Sequence, residues 1–208
     1  MKNYVITISR GYGSGGKTIG KMLASELNIP YYDNEILSLA SEASGINEGL
    51  FAQNDEKLKG ISLLKTIISK GHFNSSNTEI TKNFTSPENI FKFQAKVIKE
   101  LAEKESFVII GRAADYILKD YDNVISVNIQ APFETCVKAV MDRYNVDDKE
   151  AQRIICKTDR ERAEYYEYHT GNAWNDELNY DLSLNTARIS WEKCVELIKD
   201  FIKIKFEE

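Results

Sequence analysis

Near the start of the chain, Gly11, Gly13, Ser14, Gly15, Gly16, Lys17 and Thr18 follow a G-x-x-x-x-G-K-T spacing. Glycines let a backbone turn tightly, so that successive N–H groups face one anion. A helix that begins at the same point adds partial positive charge there. Lys17 would then reach the β- and γ-phosphates of a nucleotide, and the Thr18 hydroxyl would help to hold Mg2+.

Other residues bear on what happens to that phosphate. Arg112 follows Gly111 at the end of the apolar run Phe107–Ile110. An arginine beside a phosphate loop can hold a second phosphate through two parallel hydrogen bonds; otherwise Arg112 is a surface ion pair. Asp33 closes Ile29-Pro-Tyr-Tyr-Asp33, where it would face a ligand past the strand end, interact with the following helix N-terminus, or do both. A second basic cluster carries Asp159, Arg160 and Arg162. On a helix Asp159 and Arg162 share a face, whereas Arg160 and Arg162 do not. The cluster is either a solvated charged helix or a lid whose arginines close over a transferring phosphoryl group. Tyr165, Tyr166, Tyr168 and Trp174 would stack a base or, the favoured reading, pack that lid against the body.

These residues need elements to position them. Tyr4–Ile8 is a strand, and Thr18–Leu27 is an amphipathic helix directly after the loop. Ile29–Asp33 reads as a short strand, and Glu35–Ser44 as a helix capped by Asn34. Residues 47–70 show helical spacing, and Lys70–Thr78 is a turn-rich loop inside an insertion. A helix follows over Pro87–Lys104, then a buried strand Phe107–Ile110 and a short helix Ala113–Lys119. Asn123–Ile129 is the next strand, with a helix from Pro132 to Tyr144. Asp181–Thr186 is the last strand, and Trp191–Lys205 the closing helix. Strands alternating with helices predict an α/β, three-layer fold with a parallel sheet of about five strands. Open parallel sheets bind ligands past their strand ends, which is where the loop, Asp33 and Arg112 would converge.

Composition narrows the partners. The 208 residues suffice for one α/β domain with inserted parts. With 27 basic and 32 acidic residues, the chain is not expected to coat nucleic acid. Cys136, Cys156 and Cys194 form no C-x-x-C pair, and His72 and His169 are far apart, so neither a disulfide framework nor a zinc site is expected. Cys136 and Cys194 are expected in or near the core. No apolar run approaches the roughly 20 residues of a membrane helix, and Met1-Lys-Asn leads straight into a strand. A cytoplasmic setting follows, in which the sequons at Asn74 and Asn83 are incidental. The strand Phe107–Ile110 does not end in an aspartate, which speaks against a mechanical ATPase.

The pattern resembles the cytidylate kinase-like family of P-loop nucleoside monophosphate kinases over nearly the whole chain. The shared residues are the loop, Tyr31-Tyr-Asp33 with Glu35-Ile-Leu37, and Ile110-Gly-Arg112. Asp159-Arg-x-Arg162-Ala, Thr170-Gly171-x-x-Trp174 and Tyr180-Asp181-Leu-x-Leu-Asn-Thr186 complete the match. The resemblance implies ATP and Mg2+ as cofactors and CMP or a related pyrimidine monophosphate as acceptor. It also implies Asp33 and Arg112 at the acceptor site, Asp159 and Arg162 on the acceptor, and Arg160 as a lid arginine. The parts expected are a core (1–33, 105–144 and 178–208), an acceptor-binding insertion (about 34–104) and a lid (about 145–177).

Three departures stand out at matched positions, and the inserted region from about 45 to 90 carries no motif that aligns with the family. Ile155 occupies the place of a family arginine, for which Arg153 or Lys157 is a substitute candidate. Gly15 replaces the usual serine before Gly-Lys, and Tyr165-Tyr166 replaces a usual Pro-Leu pair. They leave two rivals to a nucleoside monophosphate kinase: a nucleotide-binding regulator with little turnover, and a kinase of a non-nucleotide metabolite.

Overall fold

The computed structural model describes residues 3–33, Ile36 and 86–206. The helix expected over Glu35–Ser44, the helical spacing of 47–70 and the loop Lys70–Thr78 lie outside them, Ile36 apart.

Five strands form one parallel sheet in the order β2-β3-β1-β4-β5. They are β1 Val5–Arg10, β2 Tyr31–Tyr32, β3 Phe107–Ile110, β4 Val124–Gln130 and β5 Leu182–Asn185. The helices are α1 Gly16–Leu27, α2 Pro87–Lys104, α3 Ala114–Ile117, α4 Phe133–Tyr144, α5 Asp148–Thr170 and α6 Trp191–Phe206. The expected α/β sheet of about five parallel strands is therefore present.

Strand composition explains the layers. β1 and β3 are buried on both faces, as continuous apolar runs in parallel sheets require. Alternate residues serve opposite sides. Ile6, Ile8, Val108, Ile110, Val127 and Ile129 pack under α1 and α6, against Ile19, Leu23, Val195 and Ile198. Val5, Phe107, Ile109 and Val124 pack under α2 and α3, against Ile98, Ala102, Ile117 and Leu118. Burying one such side chain is worth about 1.5–3 kcal/mol. Cys136 and Cys194 are buried, as expected, and Cys156 is exposed.

Local signals set the helix ends. Ser86 caps α2 by accepting a hydrogen bond from the Asn89 N–H, and Pro87 occupies its first turn. α5 starts at Asp147, whose carboxylate accepts from the Glu150 N–H at 2.8 Å. It stops at Gly171, which takes φ 72°. Between them runs an unbroken helix of 23 residues. No described helix is long and apolar enough to cross a membrane.

The chain leaves β1 toward β2 on one side and later crosses to β4 on the other. β1 is thus the point where connections diverge, and a crevice opens outside its carboxyl end. The phosphate loop, Asp33 and Arg112 sit near that end, and Asp159, Arg160 and Arg162 are on α5.

Candidate active site

The phosphate loop joins β1 to α1. Gly13 and Gly15 take φ 86° and 87°, conformations that side chains disfavour. Ser14 is 1% exposed and its hydroxyl donates to the carbonyls of Gly11 and Ile129, at 2.8 and 3.0 Å. Ser14 therefore offers a bound anion its backbone only. From the β5–α6 connection, Thr186 donates its hydroxyl to the Ser14 carbonyl at 2.8 Å. The loop is thus braced from below before any ligand arrives.

A cleft of about 880 Å³ opens over the loop, lined by Lys17, Thr18, Asp33, Arg112, Glu161 and Arg162 among others. The Lys17 ammonium is paired with Asp33. The other Asp33 oxygen lies 4.0 Å from an Arg112 terminal nitrogen. One nearly buried carboxylate thus holds two cations beside the loop. These three residues come together as the sequence analysis expects.

Arg112 is 2% exposed and its backbone is unusual. Gly111, Arg112 and Ala113 all have left-handed φ, at 67°, 65° and 51°. For a residue with a Cβ this costs about 1–2 kcal/mol, so neighbours must enforce it. Gln94 donates to the Arg112 carbonyl at 3.2 Å and to the Tyr165 hydroxyl at 3.3 Å. Tyr165 and Tyr166, both buried, pack on Ala113. Tyr166 also donates to Asp115 at 2.5 Å. The Tyr-Tyr departure is therefore the packing surface that holds the strained turn presenting Arg112, as the packing reading expects.

α5 supplies the third wall. Asp159 turns its carboxylate onto the loop and accepts from the Tyr12 N–H, at 2.9 Å to one oxygen and 3.1 Å to the other. Arg162 donates to Asp159 at 3.1 Å and to the Arg10 carbonyl at 3.3 Å. Its guanidinium also lies 5.5 Å from the Tyr12 ring centre. Burial pushes the Asp159 carboxyl up, and Arg162 with the Tyr12 N–H pulls it back. The Tyr12 hydroxyl, pushed up to about 12 by burial and by Tyr144, donates to the Tyr144 hydroxyl at 2.9 Å.

Arg160 is not brought to the cleft. Its side chain is 72% exposed and pairs with Glu164 at 3.9 Å, because it sits on the outer face of α5. The substitute arginine is not there either: Arg153 is 63% exposed and paired with Glu150 at 2.6 Å. Ile155 itself is core, packed with Val137, Val140 and Ala151 between α4 and α5.

Sequence reasoning missed Arg10, Tyr12, Glu161 and Trp191 on the cleft wall. Arg10 and Glu161 are buried charges, at 8% and 6% exposure. Their only sequence signal is adjacency to the loop and to Arg162. Trp191 opens α6, and its indole lies where a side chain on Gly15 would go: a Cβ there would come within 2.6 Å of its Nε1. That explains glycine in place of the usual serine.

Sheet order, loop and flanking cations define an α/β protein with the P-loop kinase fold. The chain belongs to the cytidylate kinase-like family, whose model matches residues 5–188. It is similar to the cytidylate kinase of Staphylothermus marinus, 24% identical over 96% of each chain. The cytidylate kinase of Methanosphaera stadtmanae is 27% identical over 97% of this chain and 99% of its own. Among solved structures, an uncharacterized protein from Eubacterium ventriosum has a TM-score of 0.70 at 28% identity, covering 97% of this chain and 99% of that one. Shikimate kinase from Bacteroides thetaiotaomicron shares the fold, with a TM-score of 0.53 at 15% identity over 96% and 98% of the two chains.

Proposed function

We propose that this protein transfers the γ-phosphate of ATP to a nucleoside monophosphate, CMP or a related pyrimidine monophosphate. The observation that carries the reading is the cluster of Lys17, Asp33 and Arg112 on one side of the phosphate loop, with Arg162 reaching it from α5. The names of the similar proteins support the choice of acceptor.

The donor phosphates would lie in the loop, against the N–H groups of residues 13–18 and the N-terminus of α1. The cleft fits a magnesium nucleotide, since it combines loop amides, Lys17 and the half-buried Thr18 hydroxyl. Among the described residues no group of His, Cys, Asp and Glu forms a metal cage. Thr18 would therefore hold the ion together with phosphate oxygens and water, and the ion supplies charge neutralisation when bound. Lys17 would exchange Asp33 for the donor phosphates. Arg112 and Arg162 would hold the acceptor phosphate in line, and Asp33 would orient the acceptor. Positioning and electrostatics carry such a transfer, with no covalent step on the protein. The cytoplasm, where ATP is abundant, is the proposed setting. Residues 145–177 would act as the lid and about 34–104 as the acceptor-binding insertion.

The test is ADP release in a coupled assay across a panel of nucleoside monophosphates. CMP or UMP should stimulate release most. Lys17→Ala should lower turnover by at least about a thousandfold while its circular dichroism and melting stay native-like. Near-normal turnover in that variant would sink the loop assignment. One observation favours a second reading, a nucleotide-binding regulator: the family arginine's place is the buried Ile155, and Arg153 faces solvent. ATP binding without acceptor-stimulated release would support it.

A further inference from the structure

Asp159 does something that its place in a charged helix does not suggest. Both of its oxygens receive one backbone N–H, that of Tyr12, the second residue of the phosphate loop. The same carboxylate holds Arg162, three residues on, and Arg162 reaches the Arg10 carbonyl just before the loop. Arg162 also covers the Tyr12 ring. Four interactions from one turn of α5 therefore close on Arg10–Tyr12, where the chain passes from β1 into the loop. The pair is sheltered, with side chains 12% and 27% exposed for Arg162 and Asp159, so solvent screens it less than a surface pair.

Granting the donor and acceptor sides proposed above, we infer that Asp159 is a positioning residue that couples the filling of the phosphate loop to the filling of the acceptor side. The Gly11–Tyr12 peptide is held at both ends, its carbonyl by the Ser14 hydroxyl and its N–H by Asp159 on α5, so its orientation depends on α5 staying in place. The following N–H groups, which must face the donor phosphates, inherit that orientation. Arg162 is anchored by the same carboxylate. An acceptor phosphate that engages Arg162 pins α5 in place, and with it the loop. A donor phosphate seated on the loop amides fixes the Tyr12 N–H, and with it Asp159 and Arg162. Each ligand favours the arrangement that the other requires, which gives positive and reciprocal coupling.

The experiment is calorimetric titration of a non-hydrolysable ATP analogue, with and without saturating CMP. It is run on the full chain, on Asp159→Ala and on Asp159→Asn. In the unaltered protein CMP should tighten analogue binding about fivefold or more. Asp159→Ala should reduce that factor below about twofold in protein whose circular dichroism remains native-like, with a lowered melting temperature because the Tyr12 N–H and Arg162 lose their partner. Asp159→Asn keeps an oxygen for the Tyr12 N–H but loses the charge on Arg162, so it should retain an intermediate factor. If the alanine variant fails to fold, the asparagine variant decides alone. An unchanged coupling factor in the folded variants overturns the inference. So does analogue binding that ignores CMP in the unaltered protein, which leaves the donor site standing. No analogue binding at all overturns the donor-site reading and the coupling together.

Discussion

Gly15 illustrates how one residue answers to a distant one. Its φ of 87° disfavours any side chain, and the Trp191 indole occupies the space a Cβ would need. Gly15→Ser should therefore destabilise the protein by roughly 1–3 kcal/mol, from backbone strain and overpacking together. Adding Trp191→Ala should recover the steric share and leave the strain. A double-mutant cycle of denaturant unfolding should then show a coupling of about 1 kcal/mol. Strict additivity would mean that the indole swings aside at no cost. Ser14 makes a related point at the neighbouring position. Its type suits a phosphate contact, yet its hydroxyl is spent on the Gly11 and Ile129 carbonyls inside the protein.

α5 is the element whose behaviour the residues least announce. Its inner face is apolar at both ends, with Ala151 and Ile155 against α4 and Tyr165 and Tyr166 against Ala113. Between these ends the same face carries Asp159 and Arg162. A helix with a polar middle looks solvated when only its sequence is inspected. Here the loop backbone covers that middle, and the aromatic end anchors it. The Tyr166–Asp115 hydrogen bond ties α5 to α3. Removing the hydroxyl leaves a half-buried carboxyl short of a donor. Tyr166→Phe should then lower stability by about 1–3 kcal/mol, measured by urea unfolding. Because α3 follows the left-handed turn of Arg112, the same change should also reduce turnover. Loss of turnover at unaltered stability would instead place Tyr166 in contact with a ligand.

At the scale of the whole molecule, the half-buried Asp115 and His169 contribute to the pH dependence of stability. Burial pushes the Asp115 carboxyl up to about 6. The native state therefore binds this proton more tightly than the unfolded chain, whose carboxyl titrates near 4. Native protein holds more protons between about pH 4 and 6, so stability falls as pH rises through that window. The full loss is about 3 kcal/mol. Asp115→Asn keeps an oxygen for Tyr166 and removes the titration. Its melting temperature should gain on that of the unaltered protein as pH rises from about 4 to 7. Parallel profiles would show that Asp115 is solvated. His169 works in the opposite direction. Burial between Phe91 and Tyr165 lowers its pKa to about 4, so its neutral form stabilises the fold and that share is lost as acid passes from about 6.5 toward 4.

Much of this architecture can be read from short stretches of chain. The loop is announced by its own glycines, Lys17 and Thr18. The bounds of α2 follow from Ser86-Pro87 at one end and the fading of its apolar face at the other. β3 is four consecutive apolar residues. Such features are marked by residue types within a turn or two, even where distant contacts hold them, so the local sequence announces them. Convergence of Asp33 and Arg112 on the loop was also foreseeable, because parallel strands put their carboxyl ends on one edge. The outward turn of Arg160, the buried Ile155 and the Trp191 indole against Gly15 were not. Nor was the partner of Asp159, the N–H of Tyr12, 147 residues earlier in the chain. A carboxylate at the middle of a helix is silent about what will cover it. That depends on which surface the packing of α5 against α4 and Ala113 brings to meet it, and only the assembled fold supplies that surface.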